Sequence, residues 1–174
     1  MSKNIRVLLP EEEIAQRIAQ MGQQITEDYK GESVFLVCTL RGSCFFACDL
    51  AKRIDLPLTL DFVKASSYGS GTASSGKVKF DLDVELSMEG RHVIIVDDIV
   101  DSGHTLQALL SLFKDRGAKS VRVATLLDKP DRREVDVAVD YVGFAVPNLF
   151  VIGYGLDFDQ KYRNLPYIGV LESD

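Results

Sequence analysis

Cysteine is scarce in this chain. Cys38, Cys44 and Cys48 are odd in number and lack CxxC spacing. Histidine is scarcer, with only His92 and His104, so no zinc set of the usual spacing is present. Reduced, buried or half-buried thiols in a cytoplasmic protein are the expectation. An excess of positive charge is also missing. Lys and Arg number 20 against 26 Asp and Glu, a formal net charge of −6. That balance argues against nonspecific affinity for nucleic acid or an anionic membrane. No apolar run reaches the length of a bilayer span, and no signal peptide opens the chain. No internal repeat, low-complexity block or linker divides the 174 residues, and 46% hydrophobic content is enough for one core. The GxxxxGKS/T pattern of a Walker phosphate loop is absent too.

What is present centres on residues 91–106. Residues 93–96 are a wholly apolar, β-branched run, suited to a strand buried on both faces of a parallel sheet. Asp97 and Asp98 follow, then Asp101, Ser102, Gly103, His104 and Thr105, and from Leu106 the spacing is helical. A Ser/Gly/Thr loop at a helix N-terminus offers unpaired N–H groups and hydroxyls to an anion, with the helix dipole adding to the attraction. Three acids beside a bare phosphate would repel it. They make sense if sugar hydroxyls, a divalent cation such as Mg²⁺, or both share the site.

The rest of the chain supplies a frame. Residues 1–10 read as a lead-in. Pro10 and the three glutamates after it start a helix whose stripe is Ile14, Ile18, Met21 and Ile25, and Gly31 ends it. Residues 34–39 form a second buried strand, broken by Leu40, Arg41, Gly42 and Ser43, with a helix over 44–53. This is again strand, glycine loop with a cation, helix. Residues 58–64 form a strand, and the Ser/Gly-rich run 66–76 is either a flexible connection or a lid. Residues 77–86 return as a strand. Gly117 caps the helix after the acidic stretch, and residues 120–127 form a third parallel-type strand. Lys129 before Pro130 is by itself a solvated turn, and Phe150 by residue type alone is core. Short strands around Gly143 and a final edge strand over 165–171 complete the pattern.

The segment 93–106 is similar to the PRPP-binding motif of the type I phosphoribosyltransferases (PRPP is 5-phosphoribosyl 1-pyrophosphate): hydrophobic strand, two acids, two apolar residues, Asp, Ser/Thr-Gly-x-Thr. The resemblance runs over nearly the whole chain and points to the bacterial hypoxanthine (hypoxanthine–guanine) branch. It implies a single α/β domain over 1–174. A doubly wound, mainly parallel central sheet is flanked by helices, with sites at the C-terminal strand ends and a small hood from the N- and C-terminal segments. It implies purine salvage: Mg²⁺-dependent transfer of 5-phosphoribosyl from PRPP to hypoxanthine, and to guanine, giving IMP or GMP and pyrophosphate.

The same resemblance implies the residue roles. Asp97 and Asp98 hold the ribose hydroxyls and touch a metal, while Ser102, Gly103, His104 and Thr105 hold the 5′-phosphate. Asp101 is the general base. Leu40, Arg41 and Gly42 form the pyrophosphate loop with a non-proline cis peptide after the leucine, and Arg163 also meets pyrophosphate. Lys129 donates to the exocyclic oxygen of the purine, Phe150 stacks on the base, backbone groups of Val151 meet its edge, and Asp157 contacts metal. Ser67 and Tyr68 begin a mobile catalytic lid. The family often has Glu where this chain has Asp97, which leaves that residue's own role open. The resemblance also implies a cytoplasmic homodimer or homotetramer acting on small molecules, with no nucleic acid or membrane partner. Two rivals remain: a xanthine- or guanine-preferring enzyme of the same fold, and a PRPP-sensing regulator that binds RNA or DNA. Against the regulator stand the acidic balance and the presence of Asp101, Lys129 and Asp157.

Overall fold

The computed structural model describes residues 4–67 and 78–172. The chain order is β1 (Ile5–Leu9), α1 (Glu11–Asp28), β2 (Val34–Thr39), α2 (Cys44–Ala51), β3 (Leu58–Ser67), β4 (Val78–Leu82), β5 (His92–Val100), α3 (His104–Asp115), β6 (Ser120–Asp128), a 3₁₀ turn (Pro130–Arg132), β7 (Tyr141–Ala145), β8 (Val151–Ile152) and β9 (Ile168–Leu171). Six strands form one sheet in the order β4-β3-β2-β5-β6-β7. Its five neighbours from β3 to β7 run parallel, and β4 returns antiparallel along β3.

The apolar runs of β2 and β5 are continuous because both faces of the sheet are covered. Side chains alternate across it. Leu36, Cys38, Ile94 and Val96 pack with Ile14, Ile18 and Met21 of α1 and with Phe46 and Leu50 of α2. Phe35, Val37, Val93 and Ile95 face Leu106, Leu109 and Phe113 of α3. The α2 connection leads from β2 to β3 on one side, and the α3 connection leads from β5 to β6 on the other. The strand order therefore reverses between β2 and β5. Ligands of open α/β sheets bind at such a point, outside the carboxyl ends of the strands.

Several elements differ from expectation. Residues 5–9 are a strand, not a lead-in: β1 pairs antiparallel with β9, Ile5 opposite Leu171. That makes β9 the middle of a second, three-stranded sheet in the order β1-β9-β8, not an edge. The N- and C-terminal segments thus form the hood together. β5 continues through the acids to Val100, because Asp97, Ile99 and Val100 keep their pairing with β6. Around Gly143 there is one strand, β7, whose glycine lies so close to β6 that a Cβ there would sit 2.3 Å from the Leu126 carbonyl oxygen. Cys38 is buried, Cys44 half-buried and Cys48 exposed. β3 extends through Ser66 and Ser67, so the supposed loop begins later than residue 66. The rest of the expected lid, with Tyr68 and residues 68–77, lies outside the described residues. No described helix is long and apolar enough to cross a membrane.

Candidate active site

Two loops meet at the reversal point. The first follows β2. Thr39 ends the strand, the Leu40–Arg41 peptide is cis as the resemblance implies, and Gly42 and buried Ser43 lead into α2. Gly42 is needed for space: a Cβ there would fall 1.7 Å from Asp98 Oδ2 and 3.4 Å from the Gly155 carbonyl oxygen. The second loop follows β5. Gly103 takes φ 90°, a left-handed conformation that glycine adopts freely, and directs the chain into α3. The first N–H groups of α3 have no intrahelical partner and point out of the helix end, a ready site for an anion. The Ser102 carbonyl accepts from the N–H groups of Glu134 (3.0 Å) and Val135 (3.3 Å), so residues 134–135 brace this loop. His104 Nε2 lies 2.9 Å from Glu134 Oε2.

Between the loops is a cavity of about 210 Å³ lined by Thr39, Leu40, Arg41, Gly42, Ala65, Asp97, Asp98 and Thr105. A second, of about 140 Å³, adjoins it through Asp97 and Thr105 and is lined also by Asp101, Ser102 and Gly103. Asp97 and Asp98 keep some solvent contact through these openings, yet protein surrounds them on most sides. Burial, with Asp98 alongside, raises the Asp97 carboxyl to about 8. Thr39 Oγ1 donates to Asp97 Oδ1 (2.5 Å), which opposes the rise without cancelling it. Burial raises Asp98 too, against the Ile99 N–H (2.9 Å) that it accepts. Adjacent buried acids of this kind suit a partner that brings hydroxyl donors or positive charge.

Of the remaining expected residues that the structure describes, Asp101 alone lines either cavity. Asp101 is half exposed and lies 3.2 Å from Arg132 Nε. Lys129 is buried, 8% exposed, and its N–H donates to the Val100 carbonyl (3.0 Å), which places it at the end of β5. Phe150 is 58% exposed and meets Phe158 edge to face, with centroids 5.7 Å apart. An exposed ring of this size is not core; it is a surface available for stacking. Val151 is buried and opens β8. Asp157 pairs with Arg163 Nη2 (2.9 Å) and accepts from the Gln160 N–H (2.8 Å). Arg163 Nη1 donates to the Gly155 carbonyl (2.7 Å). Ser67 is placed by its backbone, paired with Val78 at the end of β3.

The structure therefore gathers Leu40, Arg41, Gly42, Asp97, Asp98 and Thr105 around one cavity, and Asp101, Ser102 and Gly103 around its neighbour. It does not join Asp157 to the Asp97–Asp98 pair. Among the described residues, no three His, Cys, Asp or Glu side chains are grouped to hold a metal by themselves. Three participants were not foreseen. Thr39 holds Asp97, Arg132 holds Asp101, and Gln160 Oε1 accepts from both Arg41 (3.5 Å) and Arg163 (3.3 Å). Each is a polar residue at a strand end or in a turn, and nothing in its local sequence marks it.

The phosphoribosyl transferase domain family matches residues 6–159. Over 100% of its length the chain is 49% identical to the hypoxanthine-guanine phosphoribosyltransferase of Streptococcus thermophilus, and it covers 97% of that protein. It is 50% identical, over 97% of its length, to the bifunctional protein TilS/HprT of Listeria monocytogenes, where it spans 26% of the relative. A crystal structure of a hypoxanthine phosphoribosyltransferase from Staphylococcus aureus superposes with a TM-score of 0.92 at 46% identity, covering 96% of this chain and 91% of that one.

Proposed function

This chain belongs to the phosphoribosyl transferase family, and from that membership we propose that it transfers the 5-phosphoribosyl group of PRPP to N9 of hypoxanthine. The products are IMP and pyrophosphate, and guanine, giving GMP, is the second base. The observation that carries this reading is the meeting of two anion-binding loops around one pair of buried acids. PRPP has the matching outline: a phosphate at one end, a pyrophosphate at the other, and ribose hydroxyls between.

The N–H groups and hydroxyls of Ser102 to Thr105 take the 5′-phosphate at the start of α3. Asp97 and Asp98 accept from the ribose hydroxyls. The loop of Leu40, Arg41 and Gly42, with Arg163, takes the pyrophosphate. The donor set fits Mg²⁺, because that ion is held by one or two carboxylates together with waters and substrate phosphates, and needs no cage of three acids. Asp157 would hold one such ion, directly or through water, and Asp97 and Asp98 would touch the shell of another. When bound, Mg²⁺ screens the charge of the departing pyrophosphate as a Lewis acid. Asp101 accepts the proton that the purine sheds at N7 as N9 attacks, and its carboxylate favours the positive charge developing on the ribose. Phe150 offers its exposed ring to the base, and Val151 offers backbone groups to the base edge. Lys129 donates to a 6-oxo group and finds only another donor in the 6-amino group of adenine, so adenine is rejected.

Initial rates with PRPP and Mg²⁺ against hypoxanthine, guanine, xanthine and adenine, with an EDTA control, test the reading. The expected result is turnover of hypoxanthine and guanine, abolished by EDTA, with none of adenine. PRPP binding without turnover of any base would overturn it in favour of a PRPP sensor. Equal turnover of adenine would remove the role given to Lys129.

A further inference from the structure

Tyr154 sits behind the site, in a turn whose front faces the pyrophosphate loop. Its φ is 47°, unusual for a bulky side chain, and Gly153 and Gly155 on either side are also left-handed, at 94° and 96°. Such a run persists only where its surroundings hold it. The Tyr154 N–H donates to the Leu165 carbonyl (2.8 Å), and its hydroxyl donates to Asp49 Oδ2 on α2. The other oxygen of Asp49 takes Lys52 Nζ (2.6 Å). The phenol ring also lies against Phe45 of α2, with centroids 6.3 Å apart.

Helix α2 is the base of the pyrophosphate loop. Its first residue, Cys44, donates its N–H to the Arg41 carbonyl (3.2 Å), and Ser43, just before it, is buried. One residue beyond Tyr154, Gly155 lies against Gly42: a Cβ on Gly155 would be 1.9 Å from the Gly42 carbonyl oxygen. The same Gly155 accepts from Arg163 (2.7 Å), whose other nitrogen pairs with Asp157. The turn carrying Arg163 and Asp157 and the loop carrying Arg41 thus touch at Gly42–Gly155 and are tied a second time through Tyr154 and Asp49.

We propose that Tyr154 and Asp49 are a positioning pair that sets the spacing between these two loops, and so sets affinity for the pyrophosphate end of PRPP. The pair touches no reacting atom. The proposal rests on the PRPP reading of the site. Burial and the neighbouring carboxylate both raise the Tyr154 pKa, so the phenol keeps its proton and donates. At Asp49, burial pushes upward but the hydrogen bonds from Lys52 and Tyr154 outweigh it, so the acceptor stays ionised.

The test uses the full chain with Tyr154→Phe, which keeps the ring, and with Asp49→Ala, Asp49→Asn and the double variant Tyr154→Phe/Asp49→Ala. Steady-state rates give the KM for PRPP, the KM for hypoxanthine and kcat, and calorimetry gives the Kd for PRPP in the presence of Mg²⁺. Loss of one hydrogen bond to a charged group predicts a rise of about tenfold in the PRPP KM and Kd for Tyr154→Phe and for Asp49→Ala. The hypoxanthine KM and kcat should stay within about twofold of the parent. Asp49→Asn, which can still accept from the phenol, should recover most of the loss, and the double variant should be no worse than either single one. Unchanged PRPP affinity in both single variants would overturn the proposal. So would losses that add in the double variant, or that fall equally on both substrates alongside a lowered Tm, because those mark an ordinary structural role. If the parent turns over no purine, the functional reading fails by itself, and the calorimetric PRPP affinities still decide for or against the pair.

Discussion

At the residue scale, the acid pair of β5 dominates the site. Asp97 has a folded-state pKa of about 8, against about 3.9 for an aspartate in an unfolded chain. The folded protein therefore holds this proton more tightly than the unfolded chain does. That contribution to stability is complete below about pH 4 and is gone once the pH has risen through the folded value. With EDTA and no substrate present, Tm should fall as pH rises from about 5 to 8. Asp97→Asn, neutral throughout and still able to accept from Thr39, should show a flatter profile by calorimetry. An equal slope in the variant would mean that Asp97 does not hold its proton in this range. Asp101 is a different case. It is half exposed, and its pairing with Arg132 is of the surface kind that stabilises little. It can leave that partner for a substrate at small cost. Asp101→Asn should lower kcat by about 10²–10⁴ while PRPP affinity by calorimetry is kept, and an unchanged kcat would remove its role as general base. The acids and the Ser-Gly-His-Thr run are legible in the sequence because their order is local. Gln160 is not, since its meaning comes from Arg41, a partner 119 positions away.

At the element scale, strands β2, β5 and β6 are legible for a physical reason. A parallel strand covered on both faces is apolar along its central run, and polar residues such as Arg122 and buried Thr125 of β6 are too few to turn it into a regular alternation. The loops after β2 and β5 are legible because a glycine beside a cation or hydroxyls at a strand end is an unusual local composition. β1 is not, and β9 is legible as a strand but not as the middle of a sheet. Both are short, and what joins them is pairing between opposite ends of the chain. β8, only two residues long, pairs with β9 in the same way. The loop after β2 also makes a demand that its local sequence does not reveal. Gly42 does not need a left-handed φ; it needs the absence of a Cβ, because Asp98 occupies that space at 1.7 Å. Gly42→Ala should push the Asp98 carboxylate out of place. Overpacking of this kind costs about 1–3 kcal/mol. We expect a modest fall in Tm but a loss of kcat/KM for PRPP of more than about tenfold, since a displaced group in the site costs rate out of proportion to stability. Full activity in that variant would show that the loop has room to yield.

At the scale of the whole molecule, the sheet is a shared wall between two apolar layers. One contains α1 and α2, the other α3. Arg17 of α1 reaches the edge strand β7, donating to the carbonyls of Val142 (2.6 Å) and Gly143 (3.0 Å), so the helix also covers a strand edge. The hood belongs to the same body. Leu9 of β1, Val151 of β8 and Ile168 of β9 are in the cluster that holds α1 and α2. With no separate apolar core among the described residues, the hood has little to hold it folded once the main sheet is lost. Phe113 tests this from the far side. It is fully buried in the last turns of α3, in the cluster that excludes the hood. Phe113→Ala removes about 3–5 kcal/mol. At about 2–4 °C per kcal/mol for a chain of this size, Tm should fall by roughly 6–20 °C. If the sheet joins both layers into one cooperative unit, calorimetry should show a single transition moved down whole, hood included. The reacting residues stand at the other end of α3 and on β5, so kcat/KM at about 25 °C should be near the parent's. Two transitions, with the higher one unmoved, would instead mean that the hood and the face bearing α1 and α2 hold together without α3.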